Sequence, residues 1–125
     1  MEKESALSRI IDSVESYLNS HEVKWFYIGK TDNFEERAES HRQEGYNQIF
    51  ELAIASSDAI AYLEEAVIFY FKEKGDCRIK NENNGSGGNP QSRILYVACL
   101  VEMLNIDEIS RDLLPISDSF PIEID

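Results

Sequence analysis

The chain has 125 residues, 42% of them hydrophobic and 10% aromatic, and a formal net charge of -12. That length supports one domain with its own core and hardly two, and the composition excludes a disordered chain. No apolar run reaches membrane-spanning length and "MEKESALSR" lacks a signal-peptide layout, so a cytoplasmic protein with no membrane partner is expected.

The charge is unevenly spread. Residues 102–125 carry seven acids against one base, half of the whole excess, so residues 103–125 read as an acidic C-terminal extension. Residues 72–93 carry five bases against three acids, which leaves room for a local basic surface. The cysteines are Cys77 and Cys99 and the histidines His21 and His41. They do not have the close spacing of a structural zinc site, and both thiols read as reduced, with Cys99 in the core.

Leu7, Ile10, Ile11, Val14, Tyr17 and Leu18 recur at helical spacing and predict an amphipathic helix over residues 4–18. The aromatic and β-branched run "VKWFYIGK" predicts a strand. Thr31, Asp32 and Asn33 are all suitable N-caps for a helix that runs to about Gln43 and ends at Gly45. "NQIFELAIAS" predicts a second strand. Ser57 or Asp58 then caps a long helix, "AIAYLEEAVIFYFKEK", which stops at Gly75. "NENNGSGGNPQS" is a loop by composition, and "RILYVACLV" is a third strand apolar enough to be central. A short helix in "IDEISRDLL" and a loosely held tail, "SDSFPIEID", complete the chain. The expected fold is a single α/β (α+β) domain, a three-stranded sheet flanked by helices.

Helical phase singles out one carboxylate. At about 100° per residue, Glu65 and Lys72 mark a polar face, while Glu64 falls among Ile60, Val67, Ile68 and Phe71. A carboxylate in an apolar stripe loses hydration and needs a partner. It is either a structural ion pair, a side chain that snorkels to the stripe's edge, or a metal ligand or acid–base group. On the preceding helix Arg37 and His41 are four residues apart and therefore neighbours. They read as a salt-bridge partner and a satisfied boundary residue, or as the fork-like cation and imidazole of a phosphate site. The glycine-rich loop could approach an anion. Neither it nor "GKT" at Gly29 to Thr31 has the spacing of a Walker loop.

These pieces together resemble the GIY-YIG nuclease family over roughly Val23 to Gly88. Tyr27-Ile28-Gly29 is similar to the YIG element, with Arg37 ten residues after the tyrosine and His41 four later. "YLEEAVIFYFK" resembles the family's glutamate helix and selects Glu64, the residue that helical phase also selects. An asparagine follows in the family; here it is Asn81 or Asn84. The resemblance implies hydrolysis of a nucleic-acid phosphodiester, DNA in preference to RNA, with one divalent metal, Mg²⁺ or Mn²⁺. Glu64 would hold the metal, and Arg37 would offset charge on the phosphoryl oxygens. Tyr27 and His41 would position phosphate or water, or move a proton. Gly29, Lys30, Asn81 and Asn84 would contact the phosphate or substrate.

The chain departs from the family at the GIY element. Tyr17 has the right distance before YIG but lies in a segment that reads as helix. One expectation is that "RILYVACL" supplies the missing neighbouring strand and Tyr96 the missing phenol; the other is that Tyr96 is a half-buried sheet residue. Two further functions stay open: an inactive module on the same scaffold that binds a nucleotide or other phosphate ligand, and a domain whose acidic end contacts a protein partner. Nothing in the sequence excludes a homo-oligomer.

Overall fold

The computed structural model describes residues 2–82, 89–102 and 119–124. The expected helix in "IDEISRDLL", most of the acidic extension, and Asn84 with its glycine-rich neighbours lie outside the described residues.

Among the described residues seven elements follow in chain order: α1 (Lys3–Ser20), β1 (Val23–Thr31), α2 (Phe34–Gln43), β2 (Gln48–Ile54), α3 (Ser57–Lys74), β3 (Ile94–Val101) and β4 (Ile122–Glu123). They form an α/β fold in which helices cover both faces of one sheet. Asn33 is the N-cap of α2, its side chain accepting from Glu36 N at 3.2 Å. The cap of α3 is Ser56, one residue earlier than expected. Its backbone is extended and its hydroxyl accepts from Ala59 N at 3.3 Å, which puts Ser57 and Asp58 inside the first turn. Gly75 closes α3 at φ +80°, a left-handed conformation that glycine adopts without steric cost.

The sheet order is β1-β3-β2-β4. β3 pairs antiparallel with both β1 and β2, so the last long strand is the central one. Its side chains are buried on both faces, which is why its sequence shows no alternation. The sheet has four strands rather than three, because the tail returns beside β2. Ala53 pairs parallel with Ile122, and Ile124 N donates to Ile54 O at 2.9 Å. Burial of Phe120 and Ile122 holds this end of the chain, so the expectation of a loose tail fails there.

On one face of the sheet, α1 and α3 pack over Phe26, Ile28, Leu52, Leu95 and Val97. Ala6, Ile10, Val14 and Leu18 form the buried stripe of α1, and burying each of the larger ones contributes about 1.5–3 kcal/mol. Tyr70 and Lys74 of α3 both donate to Glu15 of α1 and tie the two helices together. On the other face, α2 covers Ile49, Tyr96 and Ala98 through Ala38 and Phe34. Tyr17 packs edge-on against Phe50 and stacks on His21, within the α1 layer. Cys77 and Cys99 are both free, and Cys99 is buried.

Candidate functional site

Strand alternation divides β1 between the two faces. Phe26 and Ile28 enter the core beneath α1 and α3, whereas Tyr27 packs on the α2 side. Register then brings distant residues together, because Gly29 lies opposite Tyr96 and Tyr27 opposite Ala98. The Tyr96 phenol lies across Gly29. A Cβ at Gly29 would sit 2.5 Å from Tyr96 Oη and 2.8 Å from Tyr27 Cε1. Glycine is needed here for close approach rather than for a turn.

His41 reaches the same point from α2. Its Nε2 is 2.7 Å from Tyr96 Oη, and its Nδ1 is 2.8 Å from Glu44 Oε1. An ionised carboxylate only accepts, so Nδ1 carries the proton and Nε2 accepts from the Tyr96 hydroxyl. Burial holds His41 below the usual imidazole range, while the bond to Glu44 and its charge work upward. Burial also raises both phenols, Tyr96 far above the ordinary tyrosine range. The ring centroids of Tyr27 and His41 are 5.2 Å apart, and Tyr46 meets His41 edge-on at 5.3 Å. The geometry thus joins Tyr27, His41 and Tyr96, and Tyr96 is buried at the centre of the sheet with a polar partner.

Arg37 lies one turn before His41, with an exposed side chain. Its positive charge lowers Tyr27, His41 and Tyr96 alike. Among the described residues its guanidinium has no hydrogen-bond or ion-pair partner. The salt-bridge alternative is therefore not realised there, and the cation borders the phenol and imidazole cluster.

Glu64 is 5% exposed in the buried stripe of α3. Its Oε1 has no hydrogen-bond partner, and no ion pair forms to it among the described residues. Burial pushes its carboxyl up to about 7, opposed by the charge of Lys30. Lys30 lies opposite Leu95 and shares the α3 side of the sheet. Glu64 and the phenols thus come from layers on either side of β1. The carboxylate charge nevertheless raises both Tyr27 and Tyr96.

Asn81, expected at the phosphate or substrate, bonds β1 through both ends of its amide. Its Oδ1 accepts from Ile28 N at 2.9 Å and its Nδ2 donates to Ile28 O at 2.6 Å. The amide mimics a neighbouring strand and closes the outer edge of β1 beside Tyr27, so Asn81 holds the strand that carries the site. Asn84 lies outside the described residues. Sequence reasoning missed Glu44, although its three-residue spacing from His41 was the available signal.

Among the described residues there is no cluster of three or more His, Cys, Asp or Glu side chains able to hold a metal. A divalent ion here would have one protein carboxylate, Glu64, whose buried and unpartnered Oε1 fits such a ligand. Mg²⁺ commonly keeps several waters and takes one or two carboxylates together with substrate phosphate. The arrangement places a buried, unpartnered carboxylate, an exposed cation and a carboxylate–imidazole–phenol hydrogen-bonded chain around β1. No protein-family model, curated protein or solved structure matches the chain.

Proposed function

We propose that this chain is a divalent-metal-dependent nuclease with a GIY-YIG-like site, in which the strand bearing the second tyrosine, β3, follows the glutamate helix instead of preceding the YIG strand. The observation that carries the reading is the Tyr96 phenol, laid across Gly29 and bonded to His41 at 2.7 Å. Tyr96, 2% exposed, would present its oxygen to a water admitted when the half-buried Tyr27 ring turns aside. As the water O–H breaks towards that oxygen, the phenolic proton passes to His41 Nε2, and the Glu44 carboxylate offsets the imidazolium. Tyr27 would orient the phosphate, and Arg37 would stabilise charge on its non-bridging oxygens. Mg²⁺ or Mn²⁺ held by Glu64 would neutralise the phosphate and the departing oxygen. A net charge of -12 disfavours nonspecific gripping of long DNA, so short or protein-delivered substrates suit this chain better.

The test is cleavage of plasmid and oligonucleotide DNA with Mg²⁺ or Mn²⁺ by the wild type and by Glu64→Ala, Arg37→Ala and Tyr96→Phe. Loss of about 10²–10³ in rate is expected for Arg37→Ala, on the scale of removing an oxyanion donor. Equal cleavage by wild type and variants defeats the reading. A second reading, a module that binds a nucleotide without cutting it, is favoured by the net charge and by burial raising both phenols. Calorimetry against nucleotides, followed by recovery of unchanged ligand, distinguishes it.

A further inference from the structure

Trp25 is the only tryptophan of the chain. It lies two residues before Tyr27 on the same side of β1, which sets it about 6–7 Å along the strand. Two ammonium groups sit over its ring: Lys24 Nζ at 4.7 Å from the centroid and Lys80 Nζ at 5.1 Å. Backbone pairing holds Lys80 there. Phe26 N donates to Arg78 O at 2.9 Å, Lys80 N donates to Phe26 O at 2.8 Å, and Ile79 bridges to Phe26 in parallel. Because Ile79 turns into the core, Lys80 turns to the side of Trp25. Among the described residues neither ammonium has a carboxylate partner. On a chain with twice as many acids as bases, two such cations at one indole are a local exception.

We propose that Trp25, Lys24 and Lys80 form a subsite for an unpaired nucleotide of single-stranded nucleic acid, beside the Tyr27–Tyr96 centre. A base offers its π-face to the indole and its phosphates to the ammonium groups, and no base-specific contact is required. A duplex keeps its bases stacked and cannot present that face. An acidic peptide could use the cations but would leave the indole unstacked. The subsite rests on the proposed phosphodiester chemistry and names the substrate form that chemistry receives.

Because the indole is unique, its fluorescence reports on this position alone. Glu64→Ala protein, without added divalent ion, is titrated at low salt with an oligothymidylate of about ten nucleotides, within the range one such surface covers. Quenching is expected from the single strand and much less from a duplex of the same length. Lys24→Gln with Lys80→Gln should weaken binding several-fold and flatten the salt dependence by roughly 0.7 per lost phosphate contact. If that pair of changes impairs folding, Trp25→Phe with a labelled oligonucleotide should weaken binding read by anisotropy, and Trp25→Ala by about fivefold or more. No quenching, equal quenching by duplex, equal binding by the lysine variant, or the same response to polyglutamate overturns the subsite. Quenching without cleavage by the wild type in Mg²⁺ or Mn²⁺ defeats the nuclease reading and keeps the subsite. Cleavage with unquenched Trp25 keeps the nuclease and removes the subsite.

Discussion

Replacing Gly29 with alanine tests the packing at the centre of the site. The new Cβ would lie 2.5 Å from Tyr96 Oη and 2.6 Å from Tyr96 Cζ, whereas non-bonded carbon atoms settle at roughly 3.5–4.0 Å. The Tyr96 ring must then retreat by about 1 Å. His41 Nε2, now 2.7 Å from that hydroxyl, loses its hydrogen bond. Overpacking costs about 1–3 kcal/mol, and the lost bond about 1 kcal/mol more. Gly29→Ala should therefore destabilise the protein by about 2–4 kcal/mol. At a urea slope near 2 kcal/mol per molar, that is a midpoint lower by about 1–2 M in circular-dichroism unfolding. In a Tyr96→Ala background the obstructing ring is gone, and the half-buried Tyr27 can turn aside, so the same change should cost less than about 1 kcal/mol. An equal cost with and without the Tyr96 ring would refute the reasoning.

Glu64 has its folded-state value raised from 4.5 to about 7, so between those values the folded state keeps a proton that the unfolded state has released. Stability contributed by this group therefore falls as pH rises through that window, by about 3 kcal/mol in all. Glu64→Gln should flatten the urea midpoint between pH 5 and 8 and be the more stable form at pH 8; an unchanged pH profile rejects this. Mg²⁺ or Mn²⁺ at pH 8 should raise the melting temperature of the wild type but not of Glu64→Gln, a comparison that scanning calorimetry settles without any substrate. Glu44→Ala should lower the titration of His41 further, because the bond to Glu44 and its charge are what hold it up; ring-nitrogen NMR reads this, and an unmoved His41 removes Glu44 from the relay. Asn81→Ala leaves Ile28 N–H and C=O without the partners that Oδ1 and Nδ2 supply. A loss of about 2–4 kcal/mol is expected, with faster hydrogen exchange at the Ile28 amide, and unaltered exchange there would show that the edge is held by something else.

Much of the fold is local in origin and so is legible in the chain. The stripe of Ile10, Val14 and Leu18, the Asn33 cap and the Gly75 stop each rest on residues a few positions apart. Helical phase alone put Glu64 among apolar neighbours, and its burial follows. The cap of α3 was misread by one residue because serines at 56 and 57 both suit the role. The short β4 was missed because two residues carry no periodic signal, and only the exposed edge of β2 gives them a partner.

Spacing within a single segment sets which of the described stretches become helices and long strands, and which carboxylate enters an apolar stripe. The apolar run of β3 already marks it as central, but its register against β1 and β2 is set by long-range pairing in the folded sheet. From that register follow the crossing of Tyr96 over Gly29, the bond from Tyr96 to His41 and the field of Glu64 at both phenols. Tertiary structure also decided that the Asn81 amide closes the edge at Ile28, a pairing across 53 residues. "YIG" reads as a strand end followed by a turn. Its glycine acquires a physical reason only when the last long strand lays a phenol across it.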